Sequence, residues 1–148
     1  MMKKIAIVYA SQSYFKNTKL VAEMIRDVYV EHGAEVDMIR FQDVPEDFDF
    51  QQYDHVDFGM YTWDNGAIPE EALNIYESIN RLLSKDTTTS VFGTGDTFYP
   101  NFCGALTIFR EELAKHTTFR YTLRIELKTQ SSDLPRIEKY AKLNLDIE

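Results

Sequence analysis

Lys3-Lys4-Ile5-Ala6-Ile7-Val8-Tyr9-Ala10, running on into Ser11-Gln12-Ser13-Tyr14-Phe15-Lys16-Asn17-Thr18, is the stretch that decides the fold. Its first half is apolar without alternation, the pattern of a strand buried on both faces at the centre of a parallel sheet. The polar second half breaks that run. From Thr18 onward Leu20, Val21, Met24, Ile25, Val28 and Tyr29 fall on one helical stripe, and Gly33 stands where a helix ends on a C′ glycine. One β-loop-α unit is therefore legible before residue 34.

The same switch of period repeats outward. Glu35–Phe41 alternates as a second strand, Asp43–Tyr53 reads as a connection, and His55–Thr62 reads as a third strand ended by Asn65-Gly66. Pro69–Leu83 is predicted as one helix, with Pro69 in its first turn and Leu73, Ile75, Tyr76, Ile79, Leu82 and Leu83 as its apolar contacts. Thr87–Gly93 is a short β-branched strand, and Phe102–His116 a helix. Phe119, Tyr121, Leu123, Ile125 and Leu127 alternate as a fifth strand, and Ser131-Ser132-Asp133 offers caps for a last helix reaching towards Leu145. Such βαβα alternation implies an α/β fold, a parallel sheet with helices on both faces, and right-handed crossovers leave few topologies open.

Composition agrees with a single domain over residues 1–148. The chain has 148 residues, 44% hydrophobic and 27% charged, enough to bury a core. The apolar run near Met1-Met2-Lys3-Lys4 is too short for a signal-peptide core or a membrane span, so a cytoplasmic location is expected. Cys103 is the only cysteine and excludes an intrachain disulfide, and His32, His55 and His116 have no metal-ligand spacing. A net charge of -8 argues against nucleic acid and anionic membrane and favours basic protein surfaces, although it serves solubility equally well.

In a doubly wound sheet, ligands bind beyond the carboxyl ends of the strands, near the point where strand order reverses. Three loops belong to that edge. Ser11, Ser13, Asn17 and Thr18 in the first serve either to cap the following helix or to wrap a phosphate on its N-terminus, and the loop alone weighs towards capping. The second, Tyr61-Thr62-Trp63-Asp64-Asn65-Gly66-Ala67-Ile68-Pro69, holds the chain's single tryptophan. The third, Gly93 to Cys103, sets Phe98 and Tyr99 beside a glycine-rich turn. Two aromatic loops flanking a phosphate-sized cradle suit a flat, conjugated, phosphorylated ligand. No nucleophile elbow, Walker lysine motif or dinucleotide fingerprint is present.

Tyr61-Thr62-Trp63 through Pro69 resembles the flavin-stacking loop of short-chain bacterial flavodoxins, and Gly95-Asp96-Thr97-Phe98-Tyr99 with Phe102-Cys103 resembles their second flavin loop. Tyr9-Ala10-Ser11 and the order of elements extend the resemblance over the whole chain. It implies a flavodoxin-like three-layer sandwich with a five-stranded parallel sheet of order 2-1-3-4-5. It further implies non-covalent FMN and low-potential electron transfer between redox proteins, an electron carrier rather than an enzyme, with no catalytic residue. Ser11, Ser13, Asn17 and Thr18 would hold the FMN phosphate, and Trp63 and Tyr99 would sandwich the ring. Backbone groups around Asn65, Gly66, Gly95, Asp96 and Cys103 would meet its polar edge, with Thr62, Asp64 and Phe102 completing the two loops. The expected partners are redox proteins with basic docking faces, including a flavodoxin- or ferredoxin-reductase-type donor, acting on a monomer.

The phosphate loop departs from the family pattern. Tyr14-Phe15-Lys16 lengthens it by two residues and puts Lys16 in place of the usual glycine; we read the Lys16 ammonium as solvent-facing. Three other readings share these features: an FMN-dependent quinone reductase, a ribonucleotide-reductase-activating flavoprotein, and a flavin-free interaction domain, which the altered loop suggests.

Overall fold

The computed structural model describes residues 3–10, 17–61, 68–95, 104–126 and 133–147, with the side chains of Asn17 and Glu126 outside that description. Its strands are β1 (Lys4–Tyr9), β2 (Glu35–Arg40), β3 (His55–Tyr61), β4 (Thr88–Gly95) and β5 (Thr118–Glu126). They form one sheet of order β2-β1-β3-β4-β5, parallel at every pairing. The helices are α1 (Asn17–Glu31), α2 (Leu73–Glu77), α3 (Ile79–Leu82), α4 (Gly104–His116) and α5 (Leu134–Asn144). Element limits differ from the sequence reading by one or two residues, the usual uncertainty at frayed ends.

β1 explains why the sheet sits where it does. Ile5, Ala6, Ile7, Val8 and Tyr9 are all buried, and successive side chains enter different cores. Ala6 and Val8 join Val56, Phe58, Met60 and Val91 under α2, α3 and α4, where Ile75, Ile79, Leu106, Phe109 and Leu113 close the layer. Ile5, Ile7 and Tyr9 join Phe92, Leu123 and Ile125 under α1 and α5, with Val21, Ile25, Tyr29, Ile137 and Tyr140. Period-2 geometry makes one strand serve both layers. On the α1/α5 face the Phe92 ring lies over Gly59, so close that a Cβ at residue 59 would stand 2.1 Å from a ring carbon. α1 ends as its sequence predicts, with Gly33 at φ +88. Leu20, placed in the apolar stripe by its spacing, is instead 47% exposed, because the buried face turns through Val21, Ala22, Ile25 and Tyr29.

Three local expectations are corrected. Pro69–Leu83 is not one helix: a 3-10 turn (Glu70–Ala72) leads into α2 and then α3, interrupted at Ser78, whose N–H donates to Ile75 O at 3.0 Å in the tighter i→i−3 pattern. Asn74, Ser78 and Asn80 favour local side-chain bonds over helix continuation, while Ala72, Ile75, Ile79 and Leu83 still reach the core. β5 does not keep strict alternation either. Thr89 pairs with Phe119 but Val91 with Thr122, so one extra residue bulges from β5. The bulge sends Phe119 into the α2/α4 layer and Leu123 and Ile125 into the α1/α5 layer. Asp133 occupies the N-cap position of α5 but makes no capping bond; its carboxylate meets Arg136 at 3.4 Å. Ser131 and Ser132 lie outside the described residues.

Candidate functional site at the carboxyl edge of the sheet

Because β1, β3 and β4 are parallel neighbours, their carboxyl ends open on one edge. Tyr9 pairs with Gly59, and Tyr61 with Thr94, so the ends stand nearly level; the Ala10 N–H donates to Gly59 O at 2.9 Å as the chain leaves β1. Segments 11–16, 62–67 and 96–103 connect these ends to the elements that follow. The strand ends that lead into the three loops singled out by sequence therefore lie side by side where strand order reverses, β1 being followed by β2 on one side while β3 lies on the other.

Most of the individual side chains fall within those segments. Ser11, Ser13, Thr62, Trp63, Asp64, Asn65, Gly66, Asp96, Tyr99, Phe102 and Cys103 lie outside the described residues, as do Tyr14, Phe15 and Lys16 of the lengthened loop. Asn17 is the first residue of α1, and Gly95 the last residue of β4.

Thr18 is described in full. It is completely buried in the first turn of α1, and its hydroxyl lies 3.1 Å from the hydroxyl of Thr94, itself 3% exposed. Strand alternation puts Thr94 on the same face as Ser90 and Phe92, towards α1. The bond thus joins the element after the first loop to the strand before the third. Thr94 is not among the residues that the sequence singles out, although it lies inside the third loop as read there, Gly93 to Cys103. β4 extends through it, pairing Thr94 with Ile125 and Gly95 with Glu126.

The N-terminus of α1 suits an anion. Its first turn carries no acidic residue despite the net charge of -8, and the first N–H groups of a helix have no partner within it. Backbone N–H groups with the Thr18 hydroxyl beside them are a donor set that a phosphate could use. Nearby, the Tyr9 phenol is pushed above its ordinary value, chiefly by burial. Both carboxylate oxygens of Glu71, just after the second loop, are buried without a hydrogen-bond partner among the described residues.

Away from this edge lies a polar cluster that sequence reasoning missed. Asp57, fully buried in β3, accepts from Tyr29 Oη at 2.6 Å and Tyr140 Oη at 2.5 Å, and stands 3.0 Å from His55 Nε2. Asn144 donates to Tyr29 Oη at 3.1 Å and accepts from Ser90 Oγ at 2.7 Å. The one available signal was an aspartate inside the apolar run His55–Tyr61. Burial first, and the Asp57 charge second, hold both phenols well above their ordinary value of 10.0. This cluster fastens α1 and α5 to the sheet near the amino end of β3, away from the carboxyl edge.

Residues 7–139 match the family model described as Flavodoxin. The chain is 41% identical over 105 residues to Probable flavodoxin 2 of Bacillus subtilis, covering 71% of this chain and 68% of that protein. It is 34% identical over 134 residues to Probable flavodoxin 1 of the same organism, covering 89% and 83%. The crystal structure of oxidised Flavodoxin 2 from Bacillus cereus superposes with a TM-score of 0.86 at 31% identity, covering 97% of this chain and 98% of that one.

Proposed function

This chain belongs to the flavodoxin family, and from that premise we propose how its own residues hold and serve the cofactor. It is an FMN-binding electron-transfer protein, a carrier rather than an enzyme, and acts with redox partner proteins. FMN supplies the redox chemistry by accepting and releasing electrons. In our reading the phosphate rests on the first turn of α1, served by Ser11, Ser13, Asn17 and Thr18. Trp63 and Tyr99 stack on the two faces of the isoalloxazine, and backbone groups around Asn65, Gly66, Gly95, Asp96 and Cys103 meet its polar edge, with Thr62, Asp64 and Phe102 beside them.

The observation that carries this reading is the convergence of the three loop-bearing strand ends on one edge, with an acid-free helix N-terminus among them. It is tested by titrating the apoprotein with FMN and with riboflavin. FMN should bind far more tightly, since only FMN brings the dianion that the helix terminus favours. Equal affinity for the two would remove the phosphate assignment.

The partner in this reading is a protein with a basic docking face. Of the 24 acidic residues, 14 lie between Asp27 and Glu77, where Arg40 is the only lysine or arginine. Exposed Glu35, Asp37, Asp43, Glu46, Asp47 and Glu70 give that flank of the sheet an acidic surface. A cytoplasmic monomer of one domain fits the same reading, and no described helix is long and apolar enough to cross a membrane.

A further inference from the structure

Among the described residues, two buried side-chain hydrogen bonds tie α1 to the sheet, one near each end. At its carboxyl end Tyr29 Oη donates to Asp57 of β3, and at its amino end the Thr18 hydroxyl meets the Thr94 hydroxyl of β4 at 3.1 Å. Thr18 and Tyr29 are eleven residues apart, about 16 Å along a helix at 1.5 Å per residue. With one end held at Asp57, the second attachment sets the direction in which the first turn points. That turn carries the unpaired N–H groups, whose attraction for an anion falls off within a turn and depends on alignment.

We propose that Thr94 is a positioning residue for the cofactor phosphate: through its hydrogen bond to Thr18 it holds the N–H groups of α1's first turn on the phosphate. The proposal rests on the reading that the FMN phosphate sits on that turn. In this proposal Thr94 acts through Thr18 and not on the cofactor itself. It is buried on the α1/α5 face of β4, and immediately precedes Gly95, where the third loop leaves the strand. A single bond therefore ties the phosphate turn to the strand that delivers a flavin loop. A hydroxyl both donates and accepts, so with Thr94 as donor Thr18 keeps its own hydrogen for another acceptor.

The test compares two ligands on the same variants. Apoprotein carrying Thr94→Val, which keeps the shape and removes the hydroxyl, is titrated with FMN and with riboflavin by flavin fluorescence, alongside Thr94→Ser and the parent chain. FMN affinity should fall on the order of five-fold in Thr94→Val, the effect of losing one buried hydrogen bond, while riboflavin affinity stays unchanged. The ratio of the two affinities shrinks accordingly, and Thr94→Ser restores it. A merely structural threonine would weaken both ligands by one factor, leaving the ratio intact. That outcome overturns the proposal, as does an unchanged FMN affinity. Should Thr94→Val yield no folded apoprotein, Thr94→Ala removes the same hydroxyl without a second branch at Cβ and is read the same way. The underlying phosphate reading fails separately, in the parent chain, if FMN and riboflavin bind it equally.

Discussion

Replacing Tyr140 by phenylalanine removes one oxygen from the interior and almost no volume, so it isolates the worth of a hydrogen bond to a buried carboxylate. Asp57 has no exposed surface, and its oxygens face Tyr29, Tyr140 and His55 at 2.5 to 3.0 Å. Water cannot replace the lost donor there. A hydrogen bond to a charged group contributes roughly 1.5–3 kcal/mol, which at about 2–4 °C per kcal/mol for a chain of this size lowers Tm by about 3–12 °C. Tyr53→Phe supplies the control. Its phenol donates to Asp37 at 2.7 Å, but Asp37 is exposed and water takes over the vacated acceptor. Its cost should stay below about 1 kcal/mol. Urea denaturation of both apoproteins measures the difference. Equal costs for the two variants, or a Tyr140→Phe protein within about 0.5 kcal/mol of the parent, the scatter of ordinary surface changes, would refute the claim that burial makes the Asp57 cluster matter.

The same cluster has an alkaline consequence. Tyr29 and Tyr140 are both held above the ordinary tyrosine value. A group whose folded pKa exceeds its unfolded value contributes stability that is whole below the unfolded pKa and is lost as pH rises through the folded one. Stability should therefore decline above about pH 10, and these two phenols should ionise only as the protein unfolds, seen as a late, cooperative step in tyrosinate absorbance.

Trp63→Ala and Tyr99→Ala should each weaken FMN binding, because an aromatic pair contributes roughly 0.5–1.5 kcal/mol beyond area burial; flavin fluorescence titration showing parent affinity in both would displace the ring from these residues. Association-limited electron exchange with a basic partner should slow as salt rises, since exposed charges are screened beyond about 8 Å at physiological ionic strength, and a flat rate would remove the acidic flank from docking. Asp64→Gly should keep FMN bound and raise the second reduction potential, because it removes a carboxylate that repels the reduced, anionic ring and a side chain that disfavours positive φ; redox titration giving an unchanged or lower potential would refute this. The Asp146 carboxyl, lowered to about 2 by its hydrogen bonds to Arg120 and then Lys3, should keep its ion pairs at neutral pH and lose them, with their small stabilisation, as pH falls through that value. An NMR titration midpoint for Asp146 near the usual carboxylate range would contradict it.

What was legible in the chain is what local period can encode. β1 is visible because a strand buried on both faces leaves an unbroken apolar run, and α1 because its stripe and Gly33 lie within one window. Each such signal needs only neighbours a few residues apart. The bulge in β5 is different: Phe119, Tyr121, Leu123 and Ile125 alternate without fault, yet the extra residue is visible only against its partner β4, where Thr89 meets Phe119 and Val91 meets Thr122. Pairing of distant segments decides which layer Phe119 enters, and no window along β5 contains that information.

The same physics divides the site. The three loops announce themselves through Trp63, Gly95 and the hydroxyls after β1, residue types that function concentrates where strands end. The residues that set α1 and α5 against the sheet do not. Thr18 and Thr94 are 76 positions apart, and Asp57 reaches 83 positions to Tyr140. A threonine at the end of a β-branched strand has an ordinary place there on propensity alone. Its second role appears only when the fold lays α1 across β4, which is why the candidate ligands were legible in the sequence and the residue that orients them was not.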